Sequence, residues 1–139
     1  MAAATLIVSC ADARLRELLL ALETRLGIEA ADRLLVPGGP LALLEGQHGR
    51  QAMLDWLDLL LAGHDIGLAC LVSHEDCLAY ARRLAGRPES ERATLEGDLV
   101  AAGTLLVTRY PGLRVECFVV PRGHDGDVAR LGSPGRVVL

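Results

Sequence analysis

The sequence predicts an α/β domain: three layers, with a mainly parallel β-sheet of about four strands flanked by helices and a short antiparallel strand near the C-terminus. Three observations predict it. Short β-branched or apolar runs alternate with leucine-spaced stretches along the chain. The run IGLACLV at 66–72 is apolar at almost every position, so both faces of such a strand need cover, as in the middle of a parallel sheet. A length of 139 residues with 51% apolar side chains suits one domain, 1–139, that needs no staples.

Thr5 to Ser9 (TLIVS) reads as the first strand, and Asp12 can cap the helix after it. ARLRELLLALETRLG places Leu15, Leu18, Leu19, Leu22 and Leu26 at helical spacing and stops at Gly27. DRLLV at 32–36 is a second strand, closed by Pro37-Gly38-Gly39-Pro40. A helix from about Arg50 to Ala62 sets Met53, Leu54, Leu57, Leu60 and Leu61 on one side. After the third strand at 66–72, Asp76 to Leu84 returns to helical spacing, and RPES at 87–90 breaks it. Glu91 to Thr108 is the last helix, LRVECFVV at 113–120 the fourth strand, PRGHDGD a turn, and VARL a short antiparallel return. The tail SPGRVVL has no clear place in this scheme.

Composition narrows the function. Aromatics are 3% and the formal net charge is -4, so the chain has neither the stacking groups nor the clustered cations that a nucleic-acid partner requires. The apolar stretch 54–63 carries Asp55 and Asp58, which argues against a membrane span. MAAATLIVSC has no basic segment of a signal peptide, so a cytoplasmic location is the expectation. Cys10, Cys70, Cys77 and Cys117 are too sparse for a disulfide scaffold. They read as core residues, metal ligands or reactive thiols.

In open α/β sheets, ligands bind beyond the carboxyl ends of the strands. Two such ends carry unusual residues: Cys10-Ala-Asp12-Ala-Arg14, and Ser73-His74-Glu75-Asp76-Cys77. If those strands are neighbours, Cys10, His74 and Cys77 converge from two loops. Two thiolates and an imidazole suit zinc, and three protein ligands leave a fourth position for water or substrate. Asp12 either hydrogen-bonds to the group in that position or occupies it. Arg14 keeps Asp12 ionised and oriented.

At these residues the chain resembles the β-class carbonic anhydrases. That family shows Cys-x-Asp-x-Arg after its first parallel strand, matched by Cys10 to Arg14, and His-x-x-Cys after a later central strand, matched by His74 to Cys77. The family's Arg-Asn-Ala-Gly-Asn segment falls at Val36-Pro37-Gly38-Gly39-Pro40, where only Gly39 is identical. The resemblance runs from Thr5 to the final hairpin near Arg130. It implies zinc ligands Cys10, His74 and Cys77, a catalytic Asp12–Arg14 dyad, and backbone contacts to substrate at Gly39 and Leu78. It also implies reversible hydration of carbon dioxide to bicarbonate, and a homodimer or higher homo-oligomer. The departures are Pro37 and Pro40 where the family has Asn, Leu78 where it has Gly, and only four residues ahead of Thr5, where the family has helices that wrap the partner.

Plainer readings stand beside these. Asp12 can be a simple helix cap and Arg14 a solvated first-turn residue. Cys70 and Cys117 fall inside strands and read as core, as Cys10 would if taken alone. His48, His64 and His124 lie in turns and read as solvated, with His124 a conceivable proton-relay group. Glu75 and Asp76 suit a helix N-terminus, and Trp56 suits the core or a dimer interface. Two other functions compete. One is a zinc module of the same fold without catalysis, with a closed metal shell. The other is a cysteine phosphatase or sulfurtransferase built on Cys10 and Arg16, which satisfy Cys-x5-Arg.

Overall fold

The computed structural model describes residues 5–85, 87, 90–122 and 129–130. The elements in chain order are β1 (Thr5–Cys10), α1 (Arg16–Arg25), β2 (Asp32–Val36), α2 (Arg50–Gly63), β3 (Leu68–His74), α3 (Leu78–Leu84), α4 (Glu91–Arg109), β4 (Arg114–Val120) and β5 (Ala129–Arg130). The sheet order is β2-β1-β3-β4-β5. Every pairing is parallel except β4 with β5, so the predicted α/β class and the antiparallel return strand are both present. His124 and the SPGRVVL tail lie outside the described residues.

Burial explains the order. β1 and β4 are buried at nearly every position, and β3 from Ala69 onward. Successive side chains of a strand point to opposite faces, so both faces of these strands are covered and they take the interior of the sheet. β2 alternates half-buried and exposed residues, with Leu35 at 45% exposure, and stands at the edge. α4 packs on β3 and β4 through Leu95, Leu99, Ala102 and Leu106. Each such fully buried leucine contributes roughly 1.5–3 kcal/mol.

Three boundaries differ from the sequence reading, all next to the site. The first helix begins as a 3₁₀ turn, Ala13–Leu15, because Asp12 accepts the Arg14 N–H at 2.9 Å and fixes a tight start. The third strand lies at 68–74, not 66–72. Ser73 and His74 therefore continue the ladder, opposite Val119 and Val120, where apolar periodicity has no way to register a polar residue as strand. The next helix starts at Leu78: Asp76 has φ +61° and Cys77 is extended, so Asp76 precedes the helix and is not in its first turn.

Two expectations outside the site also change. His64 is not simply solvated: its Nδ1 is paired with the Asp32 carboxylate, joining the end of α2 to the start of β2. Trp56 is 46% exposed and is no part of the core. Cys70 and Cys117 are fully buried in strands, and burial pushes the Cys117 thiol up to about 12.

Candidate metal centre

β1 connects outward to β2 on one side, while β3 lies on its other side. Strand order thus reverses between β1 and β3, and the crevice at their carboxyl ends is the expected ligand position of such a sheet. Cys10 is the last residue of β1 and His74 the last of β3. Cys77 comes three residues later, at the mouth of α3. The ligand atoms of Cys10, His74 and Cys77 all lie within 4.8 Å of one another, and all three residues are buried.

Each ligand atom is set up by its surroundings. His74 Nδ1 lies 2.9 Å from the Glu75 carbonyl. A carbonyl only accepts, so Nδ1 carries the proton and Nε2 keeps the lone pair that a metal requires. Cys10 and Cys77 sulfurs are 3.9 Å apart. The Cys10 thiol is pushed down by the Cys77 hydrogen bond, against the cost of burial, with help from the Gly38 N–H. Cys77 is pushed up, because it is hydrogen-bonded to Cys10 and buried.

The Gly38 N–H reaches Cys10 Sγ at 3.4 Å. It can do so because the chain after β2 turns sharply through Gly38 (φ +77°) and Gly39 (φ +53°) and lies against β1. A Cβ on Gly39 would fall 2.5 Å from the Ser9 carbonyl carbon and 2.6 Å from the Cys10 nitrogen. Gly39 thus has a steric role, holding the loop against the Cys10 backbone.

Asp12 and Arg14 form the second part of the site. Arg14 Nη2 lies 2.7 Å from Asp12 Oδ2, and Arg14 Nε is 3.1 Å from both carboxylate oxygens. Asp12 caps the 3₁₀ turn and pairs with Arg14 at once, so the cap reading and the dyad reading both describe it. The Arg14 side chain, then its backbone N–H, hold the Asp12 carboxyl well below the usual carboxylate range. Asp12 Oδ2 is 4.0 Å from His74 Nε2, beside the ligand atoms.

The surroundings are mostly apolar. An open groove of about 940 Å³ reaches Cys10 and Asp12 from over Pro37, Leu41, Met53 and Trp56, with His48 and Arg82 also lining it. Leu78 opens α3 with its side chain 88% exposed, so it projects to solvent instead of filling the crevice. Arg16 lines a second cleft of about 310 Å³ with Leu19, Arg33 and Leu35, and this cleft also reaches Cys10 and Asp12. In the loop between Cys10 and Arg16 the N–H groups of Ala11, Arg14 and Leu15 already donate to Val36, Asp12 and Asp12, so they are not turned toward an anion.

Sequence reasoning missed Gly38, Glu91 and Arg122. Glu91 Oε1 accepts the Asp76 N–H at 2.9 Å, and Arg122 pairs with both Glu91 and Asp76. Glu91 opening a helix and Arg122 in a turn carry no sequence signal of their own. The one available clue was that the residue between two ligands would need a supported turn.

No family model matches the chain. Among curated proteins it is 29% identical over 136 residues to an uncharacterised protein of Rickettsia bellii, covering 93% of this chain and 82% of that one. It is 29% identical over 136 residues to another of Rickettsia conorii, covering 93% and 72%. Among solved structures it superimposes on a tetrameric β-carbonic anhydrase of Sordaria macrospora with TM-score 0.63 and 14% identity, over 95% of this chain and 82% of that one. A carbonic anhydrase from Glaciozyma antarctica gives TM-score 0.59 and 14% identity, over 91% and 80%. One from Streptococcus mutans gives 0.52 and 15%, over 86% and 76%. The chain therefore has the carbonic anhydrase fold, with a Cys-His-Cys cluster that could bind a metal.

Proposed function

We propose that this chain is a zinc-dependent, carbonic anhydrase-like lyase that interconverts carbon dioxide and bicarbonate. One observation carries the reading: the ligand atoms of Cys10, His74 and Cys77 lie within 4.8 Å of one another at the β1–β3 crevice, with the Asp12–Arg14 pair beside them. The donor set fits the metal, since two sulfurs and an imidazole Nε2 with its lone pair available are ordinary zinc ligands. Bound zinc would supply a Lewis acid able to lower the pKa of water to about 7.

The remaining chemistry belongs to the chain. Asp12 is ionised throughout the working pH range, so it only accepts hydrogen bonds and selects a partner bearing O–H, such as water or bicarbonate, over a fully deprotonated anion. Arg14 acts through Asp12, since its guanidinium binds both carboxylate oxygens and sets their direction. Backbone groups at Gly39 and Leu78 are the assigned contacts to substrate in this reading. Exposure of the apolar Trp56 and Leu78 side chains beside the groove supports burial of this face in a homodimer or larger homo-oligomer.

Metal analysis and stopped-flow hydration assays test the reading. About one zinc per chain is expected, with hydration abolished in Cys77→Ser. A purified protein with far less zinc would overturn it. Full zinc with no hydration above the Cys77→Ser background would leave a metal protein without this activity.

A further inference from the structure

We propose that Glu91, the first residue of α4, is a positioning residue of the candidate site, acting through the Asp76 turn on Arg14 and so on Asp12. The chain must reverse between His74 and Cys77 to bring their ligand atoms together, and it does so at Asp76, a non-glycine residue with φ +61°. Such a conformation is disfavoured for a side-chain-bearing residue and persists only where neighbours hold it. Glu91, Arg14 and Arg122 each hold Asp76. Glu91 Oε1 takes its N–H at 2.9 Å. Arg14 reaches its carbonyl and carboxylate, both at 3.2 Å. Arg122 Nη1 lies 3.4 Å from its carboxylate.

Glu91 anchors this arrangement. Its side chain is 7% exposed, it sits on the helix packed against β3 and β4, and it also binds Arg122 at 2.8 Å. An acidic residue opening a helix is ordinarily explained by the helix dipole. Here the Oε1 atom is taken by Asp76 and Arg122, which are outside α4. Charges alternate along the chain Glu91, Arg122, Asp76, Arg14, Asp12, so each member is held by its neighbours. Removing Glu91 leaves a backbone N–H without its acceptor, lets the turn relax, and withdraws from Arg14 the second carboxylate that keeps its guanidinium fixed on Asp12.

The effect on metal rests on the function proposed above, while the effect on Arg14 does not, so the experiment reads both. Heteronuclear NMR follows solvent exchange of the Asp76 amide and the Arg14 Nε–H in metal-free protein, and chelator competition gives zinc affinity. In Glu91→Ala both protons are expected to exchange about 10-fold faster, and zinc affinity to fall about 10- to 100-fold, the range for groups that orient metal ligands. Glu91→Gln keeps an acceptor for the Asp76 N–H and is expected to restore most of both. Unchanged Asp76 and Arg14 exchange in a folded Glu91→Ala overturns the proposal, whatever zinc does. If the wild type binds no zinc, faster exchange in Glu91→Ala still supports the positioning role, and the metal reading alone is defeated. Should Glu91→Ala not fold, Asp76→Asn decides: it tolerates the turn but lacks the carboxylate, and Arg14 exchange no faster than wild type would overturn the proposal.

Discussion

Asp12, Asp76, Glu91, Arg14 and Arg122 form one ionic cluster, and Asp58, Arg109 and Tyr110 form another. In the second, Arg109 binds Asp58 at 2.7 and 3.1 Å, and the Tyr110 hydroxyl donates to the same carboxylate at 2.6 Å. Its Arg–carboxylate geometry resembles that of Arg14 with Asp12. The settings differ. Arg109 and Asp58 are 38% and 46% exposed and join α4 to α2, whereas the first cluster, though its Arg14 is 50% exposed, contains the 7% exposed Glu91 and surrounds a left-handed turn between two residues of the candidate metal cluster. A bidentate Arg–Asp pair therefore marks nothing by itself. What sets the Asp12–Arg14 pair apart is its position at the carboxyl ends of adjacent parallel strands, beside the cluster of Cys10, His74 and Cys77.

The largest effect that would break this comparison is loss of a candidate metal ligand. His74→Ala is expected to lower zinc affinity by more than the roughly 10- to 100-fold typical of an orienting group, measured by chelator competition. Asp58→Asn should leave zinc content unchanged. If both variants kept metal equally, the two clusters would not differ in the way described.

Gly39→Ala comes next. The added carbon meets the β1 backbone and φ is positive, so a loss of about 3 kcal/mol is expected in denaturant unfolding, together with weaker zinc binding as the Gly38 amide moves off Cys10. Gly97→Ala is the contrast. Nothing lies within 4 Å of its added carbon and it sits in α4, so up to about 1 kcal/mol of stabilisation is expected.

Asp12→Asn sharpens the comparison on the chemical side. With Cys10, His74 and Cys77 untouched, zinc content should stay near wild type while hydration falls by about 10- to 100-fold, in the range of a lost hydrogen bond to a charged acceptor. An equal fall in Asp58→Asn would show that the loss reflects general stability.

The smallest effect concerns pH. Burial, and then donation to Asp58, push Tyr110 up to about 12. The phenol proton is held in the folded state, so its contribution is fully present below the unfolded value of about 10 and is lost as pH rises through about 12. Tyrosinate absorbance should show Tyr110 titrating late, and an Asp58→Asn variant should bring it earlier. Asp58 has the opposite sign. Held below its ordinary value by Arg109 and Tyr110, it stabilises above about pH 3.9 and loses that contribution as pH falls through its lower folded value.

Much of this was legible in the residues. Continuous apolar character at 66–72 marked an interior strand, because such a run has no exposed face to offer. The residue types at Cys10, His74 and Cys77 marked a metal-compatible set before their geometry was known. Boundaries next to the site were misplaced by about two residues because polar Ser73 and His74 continue a strand that apolar periodicity alone would end. Trp56 on a leucine-rich helix reads as core or dimer interface, and only packing shows it half-exposed beside the groove.

The sequence by itself determined the fold class and the donor set. Both depend on local pattern and residue chemistry, which need no knowledge of long-range contacts. Only the tertiary structure decided that β1 and β3 are neighbours, that Nε2 is the histidine nitrogen left with its lone pair, and that Gly38 and Gly39 press on Cys10. It alone decided that Glu91 and Arg122 support Asp76. Those contacts join residues from 15 to 46 positions apart, and a chain's local pattern carries no record of which distant side chain will meet which loop.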